Sequence, residues 1–342
     1  MNVGLELLDY AFMQRALLAA LLVGIAAPVV GVFLVQRRLA LIGDGLGHVA
    51  LAGVAAGLLT STSPVWTALA AAVGAAVLIE VVRASGRSSG DVVLAVLFYG
   101  GIAGGVVLIS LSPEGSAGNL TAYLFGAITT TSPADVRVFA VLTAVVLVVA
   151  LLLTPRLFAV SQDEEFARAA GLHPLAVNLV LAVLVATTVV VSMRTVGLLL
   201  ISALMVVPNA AAQQVARSFR GALLVAVAIG TATSVGGVAV SYYADTPSGG
   251  TIVLLGIAVF LLAVSWRAVR DVVAARRHRG AEGHAAHEHG PDCGHPAVPH
   301  EDHVDYVHDG HRHAPHGDHY DEHGDHGVAA GPPAPPTSRG PR

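Results

Sequence analysis

Apolar runs of about twenty residues follow one another from Ala11 to Trp266, each long enough to cross a bilayer as a helix. That recurrence constrains the chain more than any other feature. Nine spans can be drawn, at roughly 12–36, 39–59, 64–83, 91–111, 134–154, 175–194, 196–216, 221–243 and 250–267. Only Met193–Gly197 separates the sixth from the seventh, so eight spans with a broken helix there is the alternative. The expected fold is all-α, a polytopic membrane helical bundle of eight to nine transmembrane helices. Composition agrees: 54% of residues are hydrophobic, 12% charged, and the mean hydropathy is +0.70, outside the range of a soluble domain. Packing falls to Ala, Gly, Val and Leu, whose small members let helices approach closely. The first run lacks a basic leader apart from Arg15 and is followed by Arg37 and Arg38, so it reads as a retained helix.

Two absences narrow the chemistry. The sequence contains no lysine, its 19 basic residues all being arginine, and a Walker A phosphate loop requires one. If ATP drives this protein, another subunit binds the ATP. The single cysteine, Cys293, excludes an intramolecular disulfide and a cysteine-rich zinc cluster.

Arginines give the expected orientation. With the N-terminus outside, the inner side collects Arg37, Arg38, Arg83, Arg87, Arg156, Arg168, Arg217, Arg220 and the cluster after Arg267. The outer side keeps Arg15, Arg137 and Arg194. This asymmetry follows the positive-inside rule and puts the C-terminus in the cytoplasm.

The chain is expected to divide into a transmembrane domain, 1–270, and a cytoplasmic His/Asp-rich tail, 271–342. From residue 280 onward Pro and Gly are frequent and apolar periodicity is gone, which predicts a disordered tail. Thirteen histidines fall between His284 and His326, interleaved with acids. Imidazole is the commonest side-chain ligand for zinc, copper and nickel, and gaps of two to four residues allow neighbouring histidines to chelate one ion. The tail candidates are His308, His311, His313, His316, His319, His323 and His326. Such a tail holds metal loosely and with little selectivity.

Within the membrane the polar residues are few. Asp44 and His48 lie four apart in LALIGDGLGHVALAGVAAGLL, on one helix face about 6 Å of rise apart. Counted from Arg38, Asp44 is roughly 9 Å deep and His48 roughly 15 Å, near the middle of the hydrocarbon. Ionisable groups at that depth are costly and commonly functional. Gly43, Gly45 and Gly47 strip this turn of side chains, which either brings a neighbouring backbone close or opens room for an ion and its waters. In the seventh span Pro208 frees the carbonyl of Leu204, and Asn209 adds a neutral oxygen. Asp245, with Ser241 and Tyr242 a turn earlier, is placed near the outer mouth. Each has a structural alternative: Asp44 and His48 bonding each other, Pro208 as a simple kink, Asp245 as a helix cap. Taken as ligands, Asp44, His48, Asn209 and Asp245 suit zinc or manganese, and the histidine-rich tail favours zinc.

Two loops stand out. Leu120–Thr129, apolar and short, is either a re-entrant or surface helix or an ordinary interfacial one. On the inner side QDEEFARAAGLHP has helical character, with Phe166, Ala169 and Ala170 on one side, Gly171 as a C-cap and Pro174 restarting the chain. It is either a contact for an ATP-binding subunit or a solvated loop helix.

Together these stretches resemble a known family. RRLALIGDGLGHVALAGVAAGLL from Arg37 is similar to the segment of bacterial zinc and manganese ABC-transporter permeases that carries G-D-x-x-x-H after a basic pair. The resemblance continues through TAYLFGAI from Thr121, DEEFARAAG from Asp163, VGLLLISALMVVPNAAA from Val196 and the DTPSGG run from Asp245, over about residues 12–267 in order. It implies a dimeric permease served by cytoplasmic ATP-binding subunits and an extracytoplasmic metal-binding protein. It implies that Asp44 and His48 line the metal path. It further implies that Asp163, Glu164, Glu165, Phe166, Ala167, Arg168 and Gly171 form the coupling helix that meets the ATPase. Asn209 departs from the pattern, which has a small residue there, and the tail lies outside it. The expectation is the non-enzymatic membrane subunit of an ATP-driven importer of Zn2+, or of Mn2+, with no permanent cofactor and no nucleic-acid partner. Its rival is an ATP-independent secondary metal transporter or exporter. A non-transporting sensor or a siderophore permease explains less, the first failing on the Gly-rich spans and the second on the Asp–His pair.

Overall fold

The computed structural model of the chain describes residues 9–86, 90–111, 123–124, 126, 132–193, 197–198, 201–281, 294–300, 303–308, 311–316 and 319–323. The helices are α1 (Ala11–Gln36), α2 (Ile42–Leu59), α3 (Pro64–Ala84), α4 (Gly90–Ser110), α5 (Pro133–Gln162), α6 (Glu164–Ala169), α7 (Pro174–Met193), α8 (Ile201–Val215), α9 (Phe219–Ala244) and α10 (Ser248–Ala281). Strands β1 (Ala297–His300), β2 (His303–His308), β3 (His311–His316) and β4 (His319–His323) follow. Two compact units result, Met1–Arg267 and Ala268–Arg342.

Eight helices among the described residues are long and apolar enough to cross a membrane. The drawn seventh span is the exception: α8 has only 15 residues, about 22 Å of rise against a hydrocarbon core of about 30 Å. The helix ends nonetheless alternate between two faces. Arg37 after α1 reaches Asn178 near the start of α7 and Glu164 of α6. Phe33 and Phe158, late in α1 and α5, stack on Phe219 at the start of α9. Gln214 near the end of α8 accepts a hydrogen bond from Arg267. At the opposite face Tyr10 packs on Tyr242. The short α8 therefore completes the alternation that eight helices alone would break.

The centre of the bundle is α1, buried along most of its length, and α2. They stay close to their neighbours because glycine stands at each crossing. A Cβ on Gly31 would lie 2.0 Å from the Met205 carbonyl oxygen, and one on Gly101 would lie 2.6 Å from the backbone of His48. Outward faces carry Val96, Val106, Val141, Leu152 and Leu254, as lipid-facing surfaces do.

Several boundaries move. α2 begins at Ile42, three residues later than drawn, which brings Asp44 about 4.5 Å nearer the helix start. α5 runs through Pro155 to Gln162, although Pro155 has no amide hydrogen to donate to the Leu151 carbonyl. Its start carries a reciprocal cap: the Asp135 amide donates to the Ser132 hydroxyl, and the Ser132 amide donates to Asp135. Of Leu120–Thr129 the described residues are Tyr123, Leu124 and Gly126, the first two helical; the remainder lies outside them.

Composition predicts disorder throughout 280–342; among the described residues there, β1–β4 form an antiparallel sheet in the order β1-β2-β3-β4. Between β2 and β3 the sequence carries Asp309-Gly310, a short-range hairpin signal. Tyr306, Ala314 and Asp305 are buried there, and His303 Nε2 lies 3.2 Å from Asp305 Oδ1.

Candidate metal path and cytoplasmic contact

Asp44 and His48 occupy the first two turns of α2. An acid in the first turn is favoured by the helix dipole, so Asp44 also suits the helix locally. The glycines around them resolve the alternative left by the sequence. A Cβ on Gly45 would meet the Leu94 side chain at 2.3 Å, one on Gly47 the Leu198 side chain at 2.5 Å, and one on Gly43 the Ser202 hydroxyl at 2.9 Å. Their space is filled by neighbours on α4, at Leu198 and on α8, so these glycines serve close packing.

Room exists on another side. Asp44 lines a cavity of about 340 Å³ with Leu41, Leu94, Ala95, Phe98 and Tyr99. Phe98 meets the His48 ring edge-on with centroids 4.5 Å apart. His48 Nδ1 is buried without a hydrogen-bond partner. This counts against the pair merely satisfying each other, since a buried imidazole nitrogen is normally bonded. An orphaned nitrogen within electrostatic reach of a carboxylate, beside a cavity walled by aromatic rings, fits a passing divalent cation.

The other two candidate ligands lie apart from this pair. Asn209 is 1% exposed, and its Nδ2 donates to the carbonyls of Pro28 at 3.0 Å and Met205 at 2.8 Å. The bond to Pro28 ties α8 to α1, the one to Met205 stays within α8, and Oδ1 is buried and unpartnered. Asp245 is the exposed C-cap of α9 in the left-handed conformation, φ 51°. Thr246 N–H donates to the Ser241 carbonyl at 3.1 Å and the Ser241 hydroxyl bonds the Thr246 carbonyl, so this stretch terminates a helix. No group of three or more His, Cys, Asp or Glu side chains placed to hold a metal occurs among the described residues. In the tail, backbone register sets His300 opposite His303, His308 opposite His311 and His316 opposite His319; His313 and His323 also lie in strands, and His326 lies outside the described residues.

The second polar region surrounds α6. Asp163 caps it, its Oδ1 accepting from Phe166 N–H at 2.9 Å. Gly171 at φ 83° ends it as the spacing predicts, with Leu172 N–H on the Ala167 carbonyl and Gly171 N–H on that of Arg168. Ala167 is the buried side chain of this helix, while Phe166 is 67% exposed and Ala169 and Ala170 are exposed as well. The apolar side predicted from the sequence thus faces away from the bundle. Beside α6, Glu80, Arg83, Glu164, Arg168, His173 and Asn178 line a cavity of about 740 Å³. Glu80 is buried and bonds Arg83 at 2.7 Å.

Sequence reasoning passed over Phe98, Glu80 and Asn178. For Phe98 a signal exists: Phe98-Tyr99 stands just before Gly100-Gly101 in a chain with 5% aromatic residues. Glu80 has one as well, an acid three residues before Arg83 in the same span; Asn178 gave none, since its partner Arg37 is far away in sequence.

Residues 9–267 match the ABC 3 transport family. A manganese transport system membrane protein of Halalkalibacterium halodurans is 31% identical over 258 residues, covering 75% of this chain and 88% of that protein. A chelated iron transport system membrane protein of Yersinia pestis is 30% identical over 272 residues, covering 80% and 92%. The PsaBC complex of Streptococcus pneumoniae, solved with a Fab, aligns with a TM-score of 0.69 at 28% identity, covering 76% of this chain and 92% of that one.

Proposed function

Because this chain belongs to the ABC 3 transport family, we propose that it is the membrane subunit of an ATP-driven importer whose cargo is Zn2+, with Mn2+ second. The carrying observation is the unpartnered His48 Nδ1 beside Asp44 at the start of α2, next to an aromatic-walled cavity. A nitrogen–carboxylate pair accepts zinc or manganese, and two groups alone bind weakly enough to release an ion. The relatives' names supply manganese and chelated iron. Zinc is favoured here by imidazole in the path and by the histidines of the tail. Aspartate and imidazole also suit a bare ion better than a bulky chelate.

The partners are a cytoplasmic ATP-binding subunit against α6 and an extracytoplasmic metal-binding protein, with two copies of this chain per transporter. The arginine asymmetry supports an N-terminus outside and a C-terminus in the cytoplasm. In vesicles carrying the assembled transporter, radioactive zinc is expected to accumulate only with ATP and the binding protein, and excess zinc to compete better than excess manganese. Uptake driven by a proton gradient without the ATP-binding subunit would instead establish the secondary transporter.

Backbone register supports the tail as a metal store, because each of its three hairpins is closed by two facing histidines. Truncation after Arg279 is expected to lower zinc bound per purified chain by several ions and to reduce metal tolerance, while initial uptake continues. Unchanged stoichiometry by equilibrium dialysis would remove the store.

A further inference from the structure

Arg37 is a charged side chain with no obvious business being covered. It follows the last turn of α1 and precedes α2 by five residues, yet its side chain is only 8% exposed. Its Nη1 donates to Asn178 Oδ1 of α7, and its Nη2 lies 3.7 Å from Glu164 Oε2 of α6. The other charges facing it are Glu80 and Arg83, both of α3. Burial lowers its pKa below the ordinary guanidinium value, Arg83 adds to that, and Glu80 and Glu164 oppose it. Arg37 thus depends on α6 for one of its two direct partners.

The chain beyond Arg37 is held by backbone hydrogen bonds. Arg38 takes the left-handed conformation at φ 58°, and Leu39 N–H donates to the Leu34 carbonyl at 2.9 Å, closing the turn. Ile42 N–H then donates to Leu39 and Gly45 N–H to Leu41, so bonded backbone runs from the end of α1 into the turn that carries Asp44. If α6 shifts and Glu164 leaves, the guanidinium stays covered, with Arg83 repelling it and Asn178 as its remaining direct partner. Stranding a covered charge is costly, so Arg37 and the start of α2 are pulled along.

We propose that Arg37 is a positioning residue that transmits displacement of α6 to the start of α2, and so couples ATP hydrolysis to the Asp44–His48 pair. It rests on α6 being the ATPase contact. Coupling between distant sites is commonly worth 5- to 150-fold, and the physical carrier here is one ion pair and one bonded turn.

The test is metal moved per ATP hydrolysed, measured with radioactive zinc and phosphate release in vesicles holding the assembled transporter. Arg37→Gln is expected to lower that ratio about tenfold while the ATP-binding subunit stays bound and hydrolysis continues. Arg37→Lys is expected to restore part of it. Glu164→Gln, at a half-exposed position that the fold tolerates, is expected to act in the same direction, and the double variant to be no worse than Arg37→Gln. An unchanged ratio in Arg37→Gln overturns the proposal; if that variant fails to fold, an unchanged ratio in Glu164→Gln does so. Failure of the α6 reading looks different: the ATP-binding subunit would then remain attached to the Phe166→Asp variant.

Discussion

Asp44→Asn and His48→Gln are each expected to reduce zinc uptake by about 100-fold or more in vesicles, with insertion and subunit assembly unchanged. Changing the partner of a metal ligand already costs 10- to 100-fold in many sites. A path that offers only two groups has no reserve when one is lost. Asp44→Asn is isosteric, so its change falls on charge; His48→Gln keeps a polar side chain but gives up both ligation by the imidazole and the ring contact with Phe98. Glutamine at residue 48 retains a polar atom but loses the imidazole nitrogen, and asparagine at residue 44 loses the negative charge. If the pair served only packing, the variants would lower the thermal unfolding midpoint in detergent and transport in proportion to folded protein. Full uptake by both would take them out of the path altogether.

Much of this arrangement is legible in the sequence because lipid removes alternatives. Runs of twenty apolar residues have to be helices. The seventh run reads as a full span because hydropathy does not register where a helix starts; α8 starts only at Ile201 and has 15 residues. The Asp44–His48 pair was equally visible, as two ionisable residues four apart in an apolar helix. Its surroundings were not. Nothing in Gly45 or Gly47 indicates whether the emptied volume takes a neighbour or a solvent channel, since that depends on Leu94 and Leu198, which are far away in sequence. Asn209 and Asp245 show the converse difficulty. Oxygen-bearing side chains read as ligands in isolation, but Asn209 is engaged at the α1–α8 crossing and Asp245 caps α9.

Phe166→Asp is expected to detach the ATP-binding subunit and abolish transport while leaving the membrane domain folded. Phe166 is the largest side chain on α6, and it points away from the chain's own core; Ala167 supplies the contact inward. An aromatic left 67% exposed on a capped, six-residue helix contributes little to the stability of the isolated chain. In an interface it behaves as an anchor, where truncation commonly costs 2 kcal/mol or more, about thirtyfold in affinity. Aspartate goes further than truncation, because it adds a desolvated carboxylate beside Glu164 and Glu165. Phe166→Leu is expected to bind with an intermediate affinity. The measurement is co-purification of the ATP-binding subunit through a tag on this chain, alongside the thermal unfolding midpoint of this chain alone. Retention of the subunit by Phe166→Asp at the wild-type level would mean that α6 is a solvated loop helix and that the ATPase docks elsewhere on the cytoplasmic face.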